Sequence, residues 1–238
     1  MFCFLLIWGI GIQNDSAWKV NSMSYWKGVY SDGKHLISSQ FKWDIESWYK
    51  CIFVITHTVG IMSQDENIQT WIQDRTTPTS KKISSKIVGP FGAEYAAIGL
   101  IGTYLSGCVT RNPKLRKVAL LGAESAFING IIVGILKIVI GRSRPNDEKG
   151  AWNYYPFNFS KSIKDGSQSL PSGHTSSAFA IAACIADECQ TPWIAVIGYT
   201  TATLVGISRI HDNKHWTSDV FLGSMIGIAV GKTVAKLR

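Results

Sequence analysis

From residue 87 onward the chain is built from five apolar segments, at about residues 87–109, 118–140, 175–186, 193–207 and 220–235, separated by short polar loops. No other feature constrains the fold as strongly. Glycine recurs inside these segments, as at Gly102, Gly130, Gly134, Gly206, Gly227 and Gly231. In a helix surrounded by water each such glycine costs about 1 kcal/mol relative to alanine. In a membrane, where lipid gives helices no hydrophobic reason to associate, small residues allow the close approach on which packing depends. The expectation is an all-α helical bundle embedded in a membrane.

Composition leaves a soluble all-helical bundle open beside it. Hydrophobic residues make up 46% of the 238 and charged residues 17%, against a usual charged share of about 25%. The mean hydropathy of +0.10 is low for a lipid-embedded chain. Glu94, Glu124 and Lys137 fall inside apolar segments. In lipid each costs about 2.5–3.5 kcal/mol on insertion scales, so each would have to face the bundle interior.

The N-terminal third reads differently. Residues 1–12, MFCFLLIWGIGI, are apolar but shorter than a membrane span. With Ser16 and Ala17 nearby, residues 1–17 are read as a signal peptide or signal anchor, although the usual positive n-region is missing. Residues 18–86 are read as a helical extension on the extracytoplasmic side, and residues 87–238 as the bundle. Trp43, Trp48, Tyr49, Ile52, Phe53 and Ile55 predict a short helix with an aromatic face, suited to a membrane surface. Ser63 and Glu66 are spaced as a capping box opening another helix, which the run from Thr76 to Ser80 ends.

The net charge of +8 admits anionic lipid, phosphorylated substrates or nucleic acid as partners. The basic residues form short clusters rather than one stripe with interleaved aromatics, so nucleic acid is not expected. The five cysteines form no Cys-x-x-Cys pair, which suggests neither a zinc site nor a disulfide framework. Arg111, Lys114, Arg116 and Lys117 follow the first apolar segment, and Lys232, Lys236 and Arg238 close the last. Counting crossings puts both clusters on one side, the cytoplasmic one by the positive-inside rule. The loops 141–173 and 208–216 then share the opposite face.

Those two loops and their flanks hold the reactive residues. Lys137 and Arg144 are seven apart, which in a continuous helix places them on nearly one face about 10 Å apart along the axis, with Pro145 marking the exit. A cation in an apolar run is costly unless an anion meets it or it snorkels to the interface. Next comes Pro171-Ser172-Gly173-His174, a turn running into an apolar helix. Helix N-termini bind anions through free N–H groups, and Gly173 lets a phosphate approach the backbone. His174, in the first turn, could deliver a proton, although a Ser-capped helix start with an exposed histidine reads the same way. The last segment holds Ser208-Arg209 and then His215 and Asp219, spaced i,i+4 so that the carboxylate can orient the imidazole. Arg209 requires a bend, which Asp212 and Asn213 can supply; His211 is read as a loop residue.

Lys137-x6-Arg144-Pro145, Pro171-Ser172-Gly173-His174 and Ser208-Arg209-x5-His215-x3-Asp219 resemble, in order, the three-part motif of the type-2 phosphatidic acid phosphatase family. That family shares its site with bacterial class A acid phosphatases and vanadium haloperoxidases. The resemblance spans about a third of the chain and implies a bundle of about six core helices. It implies that His215 attacks phosphorus, that Asp219 orients His215, and that His174 protonates the leaving oxygen and then activates water. Lys137, Arg144, Arg209, Ser172 and Gly173 would hold the phosphate. No metal or other cofactor is implied. The substrate would be a phosphorylated lipid or a small phosphomonoester, and the setting a bacterial-type inner membrane with the site facing the periplasm or exterior. A soluble periplasmic acid phosphatase, a vanadium haloperoxidase and a non-catalytic membrane protein remain as alternatives. The aromatic loop residues Trp152, Tyr154, Tyr155, Phe157 and Phe159 would either rest at the headgroup level or simply pack.

Overall fold

A computed structural model describes residues 18–39, 43–157 and 168–238; the 1–17 segment read as a signal peptide or anchor, and Phe159, lie outside the described residues. Among the described residues there are nine α-helices and an isolated antiparallel bridge between Arg142 and Tyr154. In chain order the helices are α1 (Met23–Ser38), α2 (Ile45–Met62), α3 (Asp65–Gln73), α4 (Pro78–Ile83), α5 (Glu94–Val109), α6 (Pro113–Ile140), α7 (Gly173–Cys189), α8 (Pro192–His211) and α9 (Thr217–Leu237). The all-α membrane bundle expected from the apolar segments is the fold that forms.

Local chemistry sets the boundaries. Asn112 caps α6, its side-chain oxygen accepting from Lys114 N and Leu115 N, and Pro113 fills the first position, where no N–H is needed. Gly141 ends α6 in the left-handed conformation at φ 65°. Pro192 opens α8, and Thr77 caps α4 reciprocally with Ser80. The expected capping box at Ser63 does not form: α3 starts at Asp65 with no side-chain cap, and Ser63 instead closes α2. Asp65 and Glu66 are occupied by tertiary partners. The first apolar segment is also broken. A π turn over Ser84–Val88 and a 3-10 turn over Gly89–Gly92, with Pro90 inside it, delay α5 until Glu94. Glu94 is therefore exposed on a first helical turn and not inside the bundle.

α7 is the central helix, packed against α9, α8 and α6, while α5 leans on α6. α1 lies beside α6: the Tyr25 hydroxyl donates to the Leu120 carbonyl, and further along Ile37 lines a groove with Ile131. Helices α6, α8 and α9 are long and apolar enough to cross a membrane. Ile98, Leu105, Phe127, Ile135, Val196 and Leu204 point outward from α5, α6 and α8. Leaving such side chains in water forgoes about 1.5–3 kcal/mol each, a penalty that lipid removes. The chain is a membrane protein. Lys117 pairs with Glu188, and Lys232 approaches Asp187, so the basic ends of α6 and α9 meet the last turn of α7 at one end of the bundle. The other end carries the reactive residues.

Candidate active site

At that end the chain leaves α6 through Gly141, whose missing side chain leaves room for the Tyr155 carbonyl. Residues 141–155 fold back as a narrow hairpin, with Ser143 N donating to the Asn153 carbonyl at 2.9 Å and Tyr155 N to the Gly141 carbonyl at 2.8 Å. This corrects the single-face reading of Lys137 and Arg144. Lys137 stands on the last turns of α6, but Arg144 lies beyond the left-handed turn and opens a 3-10 turn over Pro145–Asp147. The helix exit is Gly141, not Pro145. The two side chains still meet, because the hairpin returns Arg144 to within electrostatic reach of both His215 and His174, as Lys137 is. Lys137 Nζ donates to the main-chain carbonyls of Gln168 (2.5 Å) and Ser169 (3.3 Å). Arg144 Nε is buried without a hydrogen-bond partner among the described residues. Burial holds its pKa below the usual guanidinium value, against the pull of Asp147 and Asp219.

His215 and Asp219 do not share a continuous helix face. α8 ends at His211, Asn213 turns at φ 58°, and α9 begins only at Thr217, so His215 lies in the connecting loop. Asp219, in the first turn of α9, reaches back over the helix start. Its Oδ2 accepts from Trp216 N at 2.8 Å and from the Ser169 hydroxyl, and lies 3.6 Å from His215 Nδ1. Ser169 Oγ is also 3.4 Å from that nitrogen, bridging a contact that is long on its own. Burial drives the His215 pKa down to about 3, against the pull of Asp219. The imidazole is neutral at ordinary pH, and its Nδ1 edge is the one turned toward a carboxylate.

α7 starts opposite, with Ser172 as its N-cap and His174 in its first turn. Ser172 is held on three sides. Its N–H donates to the Asp219 carbonyl at 3.0 Å, its Oγ shares a proton with Thr175 Oγ1 at 2.9 Å, and Gly223 of α9 lies beneath it. A Cβ on Gly223 would come 2.7 Å from the Ser172 carbonyl oxygen, so the close approach of α7 and α9 needs the glycine. Gly173 differs: a Cβ there would meet Lys137 Cε and Val133 Cγ1 at 3.8 Å, an ordinary contact. The protein itself leaves room at this position. Arg209, near the end of α8, pairs with Asp212 at 3.0 Å and lies within electrostatic reach of His174. His211 is turned away, its Nε2 placed 3.0 Å from the Ser80 hydroxyl of α4. Lys137, Arg144, Ser172, Gly173, His174, Arg209, His215 and Asp219 thus gather at one end of the bundle.

Three further residues belong to this cluster and went unread in the sequence: Ser169, Arg142 and Asp65. The Arg142 side chain is fully buried. Its Nη1 donates to Asp219 Oδ1 and Ser218 Oγ, each at 2.7 Å, its Nη2 to Asp65 Oδ2 at 2.8 Å and its Nε to the Ala151 carbonyl at 2.8 Å. Asp65 also accepts from Ser218 N at 2.9 Å and from the Ser218 hydroxyl. Next to it, Glu66 accepts from Ala151 N at 2.8 Å. Further along α3, Gln69 donates to Asn213 Oδ1 (2.6 Å) and Gln73 to the His211 carbonyl (3.2 Å). The one sequence signal at Arg142 was a second arginine two residues before Arg144.

Several known proteins resemble this chain in sequence and fold. Over 87 residues the chain is 45% identical to a lipid A 1-phosphatase of Porphyromonas gingivalis, covering 35% of this chain and 20% of that protein. It is 30% identical to lipid phosphate phosphatase 2 of Arabidopsis thaliana, covering 44% and 45%. The chain thus spans less than half the length of these curated relatives. The fold matches a transmembrane PAP2-type phosphatidylglycerolphosphate phosphatase from Bacillus subtilis, with a TM-score of 0.54 at 20% identity over 78% of this chain and 94% of that one. A family model described as the PAP2 superfamily matches residues 119–238, half of the chain and every segment of the cluster except α3: the chain belongs to the PAP2 superfamily.

Proposed function

We propose that the protein is a metal-independent phosphatase that removes phosphate from a membrane lipid through a phosphohistidine. The observation that carries this reading is a buried imidazole with its Nδ1 edge against Asp219 and Ser169, within electrostatic reach of Lys137 and Arg144. A proton on Nδ1 leaves the Nε2 lone pair free. That nitrogen attacks phosphorus, an N–P bond forms and the ester P–O bond breaks. His174 gives its proton to the leaving oxygen, then takes one from the water that attacks phosphorus and breaks the N–P bond. Lys137, Arg144 and Arg209 stabilise the charge spread over the phosphoryl oxygens, where most of the catalysis in such transfers arises. The unpartnered Nε of Arg144 supports a phosphate at this point, with Ser172 and the Gly173 N–H completing the cradle.

A lipid is favoured over a small phosphomonoester by the surroundings. Gly92 packs on His174, and from the adjoining Phe91 an apolar groove of about 240 Å³ runs between α7 and α8, past Ala178, Ile181 and Ile194. Trp152 on the hairpin and Phe157 just beyond it are exposed, where headgroups would meet them, while Tyr154 stacks toward Arg142 and Tyr155 toward Lys149. The site, with the α3–α4 part of the 18–86 extension, faces the periplasm or exterior. The basic cluster at the far end of the bundle supports that orientation.

Incubating the purified protein with a panel of lipid and soluble phosphates, with EDTA present, tests the reading. Phosphate should be released from the lipids, and acid quench during turnover should trap it on a histidine. Phosphate trapped on serine or aspartate, or activity lost to EDTA and restored by magnesium, would refute it. Labelling of Lys149→Cys by an impermeant maleimide on intact cells should succeed if the site faces outward.

A further inference from the structure

We infer that Asp65 and Arg142 are positioning residues of the active site, and that α3, which lies outside the family match, completes that site. The inference rests on the reading of His215 as the nucleophile and adds to it what holds the imidazole in place.

The geometry runs in one line. His215 takes its orientation from Asp219 Oδ2, and Asp219 takes its own from the other oxygen, Oδ1, which Arg142 Nη1 fixes at 2.7 Å. A planar guanidinium directed at one point can still rotate about its long axis. Asp65 removes that freedom by taking Nη2 at 2.8 Å, and the Ala151 carbonyl takes Nε at 2.8 Å. Nη1 is thereby aimed along a fixed direction. Ser218 braces the Arg142–Asp65 pair, accepting from Arg142 through Oγ while its own N–H and hydroxyl donate to Asp65. Both charged side chains are fully buried, so water cannot stand in for either.

The charge count separates this arrangement from an ordinary buried ion pair. One carboxylate would suffice to neutralise Arg142, yet Asp219 also faces His215 and must keep enough negative charge for that ring when it gains positive charge on attacking phosphorus. A second acid on the far side of the guanidinium leaves the Asp219 charge less fully cancelled. Burial works against the Arg142 charge, but Asp219 and Asp65 together outweigh it and hold the guanidinium above its usual pKa. Through Gln69 and Gln73 the same helix grips the end of α8, which carries Arg209, and Asn213 of the loop that leads to His215, so α3 acts on this stretch at several points.

The test is a rapid-quench single turnover with radiolabelled phosphatidic acid in detergent micelles, comparing the intact chain with Asp65→Asn, Asp65→Glu and Arg142→Lys. The rate constant for phosphohistidine formation reports how well His215 is poised, and the amplitude reports how much protein is folded. For Asp65→Asn the rate constant should fall on the order of tenfold to a hundredfold, with the amplitude and KM near those of the intact chain. Asp65→Glu should recover part of the rate. Arg142→Lys, with one nitrogen and no planar fork to span two acids, should be slower than Asp65→Asn. An unchanged rate constant with reduced amplitude would mean that Asp65 only stabilises the fold, and the inference would fall. Phosphate trapped on His215→Ala, or none trapped on the intact chain, would overturn the phosphatase reading itself and the inference with it; the two failures are therefore distinct.

Discussion

The molecule ties its N-terminal helices to the bundle twice, each time with an arginine between two acids, and the two knots differ in quality. At the site end Arg142 joins Asp65 of α3 to Asp219 of α9 at 2.8 and 2.7 Å, with every side chain fully buried. At the other end Arg238 approaches Asp32 of α1 and Glu124 of α6 at 3.2 Å each, and its side chain keeps 15% of its surface exposed. Arg142 has a hydrogen-bond acceptor for Nε, Nη1 and Nη2. Arg238 Nε makes no aligned hydrogen bond among the described residues, although Trp18 and Tyr25 cover the guanidinium. An arginine between two acids can serve as a loose anchor or as a rigid frame. Rigidity arises where the acid has a second task, because a carboxylate that merely neutralises tolerates a few tenths of an ångström and one that aims an imidazole does not.

Removing each arginine should break the comparison most visibly. Arg142→Ala strands two buried carboxylates and should cost about 3–5 kcal/mol of stability, together with nearly all turnover. Arg238→Ala lies far from the site and removes misaligned contacts. It should cost about 1–3 kcal/mol and leave kcat close to that of the intact chain. Thermal melts in detergent and phosphate release measure both. A fall in kcat as large for Arg238→Ala as for Arg142→Ala would show that the loose knot also reaches the chemistry. A coupling measurement sharpens the contrast. A double-mutant cycle on Asp65 and Arg142 should give an interaction of about 1–3 kcal/mol, and one on Asp32 and Arg238 about 0.5 kcal/mol or less, as expected for tight and for poorly aligned partners.

The ring that the tight knot holds should make the fold acid-sensitive. His215 stays neutral when folded down to about pH 3 but takes a proton below its ordinary 6.5 when unfolded. Protons then bind the unfolded chain in excess, so stability is full above 6.5 and is lost as pH falls through this window. By about pH 5 the intact chain should have lost about 2 kcal/mol relative to His215→Gln, which has no such group. Melting curves of the two proteins across the acid range provide the check. Parallel curves would mean that the imidazole is charged in the folded protein, contrary to its burial between Asp219 and the cations.

The difference between the knots also shows what a sequence can display. The bundle was legible because apolar length and small residues are local properties, and so were Lys137, Arg144, His174, Arg209, His215 and Asp219, which lie in three short motifs. Their arrangement was less so. A seven-residue spacing suggested a shared helix face for Lys137 and Arg144, but Gly141 ends the helix between them and the hairpin does the joining. Asp65 was obscured by a stronger local pattern, since an acid between Ser63 and Glu66 at a helix start reads as part of a capping box, and capping rules carry no information about an arginine 77 positions away. Arg142 was hidden by its neighbour, because only the pairing of Arg142 with Tyr154 across the hairpin turns one arginine inward to Asp219 while Arg144 is left to face the site.

Two glycines separate framework from function. Gly223 is required by the protein: a methyl group there meets the Ser172 carbonyl at 2.7 Å, so Gly223→Ala should force α7 and α9 apart and cost about 1–3 kcal/mol. Gly173→Ala meets only ordinary contacts at 3.8 Å and should change stability by no more than about 0.5 kcal/mol. If a phosphate sits against the Gly173 N–H, the added methyl group intrudes on it, and KM for phosphatidic acid should rise while the melting temperature stays put. A Gly173→Ala protein with unchanged KM would move the phosphate off the start of α7 and toward Arg144 and Lys137 alone.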